Sequence, residues 1–194
     1  MEFIKALSQR RSVYNLNKQI PVSKDEIIEI VNDAVRYVPD AFNMKSQRVV
    51  VVLDNKHTNF WNSVYNELVV KLGDKLPRAR IDSFINGYGT ILYFYDAAVV
   101  TETQRNYPFY ADMFHDWMMQ SNGMLQFAIW NAFATVSIGA NLQHYNPIID
   151  KMVRNMFNLP ESWTLVAQMP FGGIALPPTR KPQEDASWRV KLEE

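Results

Sequence analysis

The sequence predicts an α+β fold in a single domain, residues 1–194. Three observations carry this. Helical and extended segments follow one another without the strict strand–helix–strand alternation of a doubly wound sheet. Two short runs, VVVVL ending at Leu53 and TILYFY over 90–95, read as strands buried on both faces. And 194 residues with 47% hydrophobic and 21% charged side chains suit one ordinary globular core.

The elements follow in chain order. A first helix covers Phe3 to Gln9 and ends at Arg10-Arg11-Ser12, after which the chain extends through Ile20-Pro21. Ser23 with Glu26 three residues on forms a capping box. Ile27, Ile28, Val31, Val35 and Val38 then keep helical spacing until Pro39 stops the helix. Arg48 to Leu53 is the first strand. Phe60, Trp61, Val64, Leu68 and Leu72 line a third helix that Gly73 closes. Thr90 to Tyr95 is the second strand, and Val99 to Glu102 is a candidate third. A short helix near 109–118 precedes a long one from about Gln120 to Ser137, which is apolar almost all round and belongs at the centre of the fold. Ile148 to Phe157 is a further helix, and Thr164 to Met169 the last strand. From Leu176 the chain carries Pro177, Pro178 and Pro182 and an acidic end. It has no core of its own, so residues 176–194 form either a surface tail or an arm over a partner subunit.

Composition narrows the function. Twenty basic and twenty acidic residues leave no net charge, so neither nucleic acid nor an anionic membrane is an expected partner. The chain has no cysteine, which excludes disulfides, thiol catalysis and iron–sulfur clusters. His57, His115 and His144 lie far apart with no metal-ligand spacing, so no metal site is expected. Glycine-rich nucleotide loops and the GxSxG elbow are absent from the sequence. Neither a leader-like start nor an apolar run of membrane-spanning length is present, and the expectation is a soluble, cytoplasmic protein.

Several segments can carry chemistry. Arg10, Arg11 and Ser12 offer two guanidiniums and a hydroxyl, a set that matches phosphate oxygens. The alternative is a solvated basic helix end, favoured by the helix dipole. Pro39-Asp-Ala-Phe-Asn-Met-Lys-Ser-Gln47 joins a helix to a buried strand and is rich in hydrogen-bonding side chains; it is either a ligand loop or a polar connection. Gly139-Ala140 either caps the long helix or lets a flat ring approach the backbone. Phe171-Gly172-Gly173, after the last strand, allows the same choice between a turn and a ligand contact. His144 is a structural residue or a base. Asp96 and Glu102 have no partner carboxylate, and Arg180-Lys181 alone reads as a solvated pair.

In combination, these segments resemble the nitroreductase family of FMN-dependent flavoproteins. The N-terminal RRS, the Pro-x-Ala-Phe-Asn loop before a VVVV strand, and the glycine after the long helix occur in the family's order. The similarity is greater to a subgroup of fungi and Gram-positive bacteria that includes copper-induced nitroreductases. It rests on Tyr110-Ala-Asp, Gln120-Ser-Asn-Gly-Met-Leu-Gln126, Ile138-Gly-Ala-Asn-Leu-Gln-His-Tyr-Asn-Pro147 and Pro160-Glu-Ser-Trp…Ala-Gln-Met-Pro-Phe-Gly172. The resemblance implies a three-layer α/β/α sandwich with a mostly antiparallel sheet, in a domain-swapped homodimer with FMN at the subunit interface. It implies that Arg10, Arg11 and Ser12 hold the phosphate and ribityl end, completed by Arg180 or Lys181. Pro39, Asn43, Lys45 and Ser46 approach the isoalloxazine from the other subunit. Gly139 and Ala140 place backbone near flavin N5, and Asn141 and Leu142 extend that wall, with Gly172 and Gly173 as further contacts. The implied activity is NADH- or NADPH-dependent reduction of nitroaromatics or quinones by ping-pong hydride transfer, with no side chain as nucleophile. The alternative is a flavin-binding regulatory or stress-response protein with slow, incidental turnover.

Two departures from the family pattern stand out. Tyr14 occupies the place where many members have a basic residue after RRS. Lys45 replaces the subgroup's glutamine, and its charge beside the flavin raises the reduction potential if it faces the ring.

Overall fold

The computed structural model describes residues 3–73, 77–179, 182 and 184–193. Its helices are α1 (Phe3–Gln9), α2 (Lys24–Tyr37), α3 (Asp54–Leu72), α4 (Arg78–Ile85), α5 (Ala97–Asn106), α6 (Phe114–Thr135) and α7 (Asp150–Phe157). Its strands are β1 (Leu16–Asn17), β2 (Gln47–Leu53), β3 (Gly89–Asp96), β4 (Gly139–Ala140) and β5 (Trp163–Ile174). The sheet order is β1-β5-β3-β2, with β4 also on β5, and every strand pairing is antiparallel.

Alternation along β2 and β3 divides the molecule into layers. Ile91 and Tyr93 face one side and Leu92 and Phe94 the other. The first side buries Ile27 and Val31 of α2 and Leu125, Ile129 and Phe133 of α6. The second buries Phe60, Trp61, Val64 and Leu68 of α3, Ile81 and Phe84 of α4, and Val153 of α7. Helices therefore cover both faces of an antiparallel sheet, as expected.

The start of α2 is the expected capping box: Ser23 Oγ accepts from Glu26 N, and the Glu26 carboxylate accepts from Ser23 N. Other boundaries differ from expectation. Val99–Glu102 is helical, inside α5, because the Asp96 side chain accepts from Ala98 N and starts a helix there. The region expected as two helices is a 3-10 turn, Pro108–Met113, followed by the unbroken α6, which runs through Gly123. The last strand continues past Met169 to Ile174, so Gly172 and Gly173 lie within β5 rather than after it. The short elements α4 and β1 carried no sequence signal of their own.

Helix α6 is the hub, touching α1, α2, α5, β2, β3 and β4. It is nonetheless open on one side, where Met119, Met124 and Phe127 stay at least 40% exposed. The tail packs no core: Trp188, Val190 and Leu192 are all exposed. Among the described residues no helix is long and apolar enough to cross a membrane.

Candidate functional site

The segment after α1 is sewn to the segment after α6. Arg10 N donates to Ala6 O and ends α1. The chain then runs beside β4: Ser12 bridges Ala140, and Val13 N donates to Ala140 O at 2.9 Å. Asn141, fully buried, donates its side chain to Val13 O at 2.7 Å and its backbone N–H to Pro170 O. Gln143 donates to Asn141 Oδ1 at 2.7 Å, and Gln168 Oε1 accepts from Tyr145 N at 2.8 Å. The Asn-Leu-Gln-His-Tyr-Asn stretch thus spends its amides inside the protein, fixing residues 10–13 against 139–141.

At this seam Arg10 and Arg11 are half-buried, and neither has a carboxylate within 4.0 Å among the described residues. Burial, and then the charge of Arg11, lower the pKa of Arg10 from its usual value. Two adjacent, partly desolvated guanidiniums without counter-ions among the described residues can receive an anion.

Of the two readings open for Gly139, the structure removes the helix cap. Helix α6 ends at Thr135, and Ser137 takes the left-handed conformation at φ 60°, so Gly139 is not the cap. A Cβ on Gly139 would stand 3.0 Å from Val13 and Ile174 side-chain atoms. One on Gly172 would meet Asn17 O, and one on Gly173 would meet Gln19 O, far inside van der Waals contact. For Gly172 and Gly173 the close approach seen is of the chain to itself, between β5 and the segment from Asn17 to Gln19.

The second expected segment is a strained loop. Phe42, Asn43 and Lys45 all have positive φ, 53°, 52° and 57°. Such conformations cost about 1 kcal/mol or more each in non-glycine residues. Asp40 holds them: Oδ1 accepts from Ala41 N at 2.9 Å, and Oδ2 accepts from Ser46 N at 2.6 Å and from Ser46 Oγ at 2.8 Å. Gln47 donates to Ser46 Oγ and to Met118 O, and accepts from Asn122, which also donates to Phe94 O. Arg48 donates to Lys45 O at 2.6 Å and pairs with Asp96 at 3.0 Å. Ser46 is fully buried and serves the loop's own shape. Pro39, Asn43 and Lys45 are exposed and share the wall of a cavity of about 510 Å³. Across the loop, Phe42 and Pro39 line a second cavity of about 400 Å³ with Trp117 and Met124. Phe42 stacks on Trp117, with ring centroids 5.8 Å apart, and also meets Tyr107, Tyr110 and Phe114.

One chain does not join these halves. The loop lies against Trp117–Met124 of α6, whereas the Arg11 cleft lies against Trp130 and Ala134. Their facing ends, Met124 and Trp130, are six residues apart on the helix, roughly 9 Å. Leu142 is half-buried against the α2–α6 core. Arg180 and Lys181 lie outside the described residues.

The histidines divide. His144 is exposed. His57 is buried between Thr90 Oγ1 and Phe84 O, both at 3.0 Å, and burial pushes its pKa down to about 4. It is a neutral core residue. Among the described residues no three His, Asp or Glu side chains gather to hold a metal. Sequence reading missed Arg80, whose guanidinium lies 4.5 Å over the Tyr14 ring, with no carboxylate in reach among the described residues. Its only advance signal was Tyr14, aromatic where a basic residue was expected.

Comparison with known proteins gives a consistent picture. The profile of the nitroreductase family matches residues 7–173. Nitroreductase CinD from Lactococcus lactis, in structures with chloramphenicol, nicotinic acid and 4-nitrophenol, superposes with TM-scores of 0.93, 0.94 and 0.92. Identity is 37–38%, and both chains are covered completely. Two Saccharomyces cerevisiae proteins are similar in sequence. HBN1 is 30% identical over 181 residues, covering 92% of this chain and 91% of HBN1. Nitroreductase FRM2 is 29% identical over 184 residues, covering 94% and 91%.

Proposed function

The chain belongs to the nitroreductase family of oxidoreductases, and from that premise we propose that it is an FMN-dependent NAD(P)H oxidoreductase of nitroaromatics or quinones. The observation that carries this is the seam at residues 10–13 and 139–141. It presents two guanidiniums without carboxylate partners among the described residues, beside a strand backbone fixed by buried amides. That donor set fits a phosphate dianion, and the cavity beside Asn43 and Lys45 offers polar side chains to the carbonyl edge of a flat heterocycle.

When bound, FMN supplies hydride acceptance from NADH or NADPH at N5 and, in a second half-reaction, hydride donation to the oxidant. The residues of the chain bind and orient. Arg10, Arg11 and Ser12 grip the phosphate and ribityl end. The backbone of Gly139 and Ala140 would face the reactive edge of the ring, and Asn141 and Leu142 would continue that wall, Asn141 through the backbone that its buried side chain holds in place. Pro39, Asn43 and Lys45 reach the ring from a second copy, on a loop that Asp40 and Ser46 keep in shape. Lys45 places positive charge near the ring and favours its reduced state. No side chain acts as nucleophile, and protons come from water. The exposed Trp188, Val190 and Leu192 support a homodimer whose 176–194 arm lies over the partner. The CinD structures with chloramphenicol and 4-nitrophenol, both nitroarenes, support the substrate class.

The test is the visible spectrum of protein reconstituted with FMN and desalted. Retained bands near 370 and 450 nm that bleach anaerobically with NADH or NADPH are the expected result. Absence of flavin after reconstitution refutes the reading. Bleaching slower than roughly 0.01 per second, far below ordinary turnover, points instead to the regulatory protein with incidental activity.

A further inference from the structure

We infer that Trp130 is a positioning residue that makes the site select a phosphorylated flavin, by holding the Arg10 guanidinium in one plane. This rests on the FMN reading above and deepens it. The Arg10 guanidinium carbon lies 4.2 Å from the centroid of the Trp130 indole, within stacking range. Trp130 projects from α6, half-buried, and lines a small cleft with Arg11, Val13 and Ile138. Among the described residues the Arg10 guanidinium donates no hydrogen bond and meets no carboxylate, and no ring lies against Arg11.

The geometry explains why a ring is useful there. A guanidinium carries its five N–H groups in its plane, so stacking by its face occupies none of them. The indole also removes rotamer freedom that an arginine otherwise loses on binding. Helix α1 has only seven residues, and Phe3 already meets Phe127 of α6 edge-on at 6.3 Å. The Arg10–Trp130 stack fastens the other end of the helix to the same element. Arg10 is thus held for an anion, whereas Arg11 has no ring stacked on it among the described residues.

The experiment compares FMN and riboflavin, which differ by the phosphate, by titration of flavin fluorescence against apoprotein. The wild-type protein prefers FMN. Trp130→Leu is expected to weaken FMN about tenfold and to leave riboflavin unchanged. Trp130→Phe, which keeps a ring face, recovers most of the preference, and it serves as the test should Trp130→Leu not fold. In an Arg10→Ala background, Trp130→Leu has no further effect on FMN. The inference is overturned if Trp130→Leu keeps full FMN preference, if it weakens both flavins equally, or if its effect persists without Arg10. A wild-type protein that binds neither flavin overturns the flavin reading itself, and this inference with it. A wild-type protein that binds both equally overturns the inference and the phosphate role given to Arg10 and Arg11, while leaving flavin binding itself standing.

Discussion

The two helical layers of this molecule are unequally finished. On the α3–α4–α7 side, Phe60, Trp61, Val64, Ile81 and Phe84 are all completely buried, and the exposed hydrophobics Val70, Leu72 and Met156 sit at the ends of α3 and α7. His57, Trp61 and Thr90 satisfy one another there. On the α2–α6 side the inner face is just as tightly packed, but Tyr37, Met119, Met124 and Phe127 face outward, and Phe3 and Ile4 stand more than 60% exposed. The outward side also carries the strained loop, the two cavities beside it, and the arginines that have no carboxylate partner among the described residues. The contrast fits the proposal above: one layer makes the subunit stable, while the other leaves apolar surface and cavities that a second copy and a ligand would complete.

The comparison yields four expectations of decreasing size. Phe60→Ala, in the finished layer, is expected to cost about 3–5 kcal/mol of unfolding free energy, read by denaturant titration. His57 gives that layer a pH signature. Its folded pKa of about 4 lies below the ordinary 6.5. The unfolded chain therefore binds the extra proton first, and stability falls as pH drops from 6.5 to 4, by about 3 kcal/mol. A His57→Gln variant with the same slope would break this expectation. In the open layer, Phe127→Ser is expected to weaken self-association by about 1–2 kcal/mol in sedimentation, with little loss of subunit stability. A variant that unfolds instead would show the open layer to be ordinary core. Lys45→Gln is expected to lower the flavin potential by about 20 mV, roughly 1 kcal/mol in a two-electron couple. An unchanged potential removes Lys45 from the ring.

The finished layer was the more legible of the two. Strands β2 and β3 and the apolar stripe of α3 follow from periodicity, because burial repeats at the spacing of the element. The Ser23–Glu26 cap was legible because both partners are local. Helix α5 was misread in part because Val-Val-Thr has a strand's composition, and only the Asp96 cap starts a helix there. Gly172 and Gly173 were placed after the last strand, not within it, because the atoms that forbid a side chain there belong to Asn17 and Gln19, some 155 residues away in the chain. In the open layer, Arg10, Arg11 and the 39–46 loop were singled out by motif. The left-handed backbone at Phe42, Asn43 and Lys45, and Asp40's role in holding it, depend on contacts that no spacing announces.

The central claim is that the binding site is shared, the arginines from one subunit meeting the 39–46 loop of the other. Subunit complementation tests it most directly. One chain carries Arg10→Ala with Arg11→Ala, the other Asn43→Ala with Lys45→Ala, and differently tagged mixed dimers are purified. The account predicts that each parent retains little FMN, while the mixed dimer, which restores one intact site, retains about half the wild-type flavin. Mixed dimers that bind no more flavin than their parents, or a flavin-loaded wild-type monomer, would contradict it.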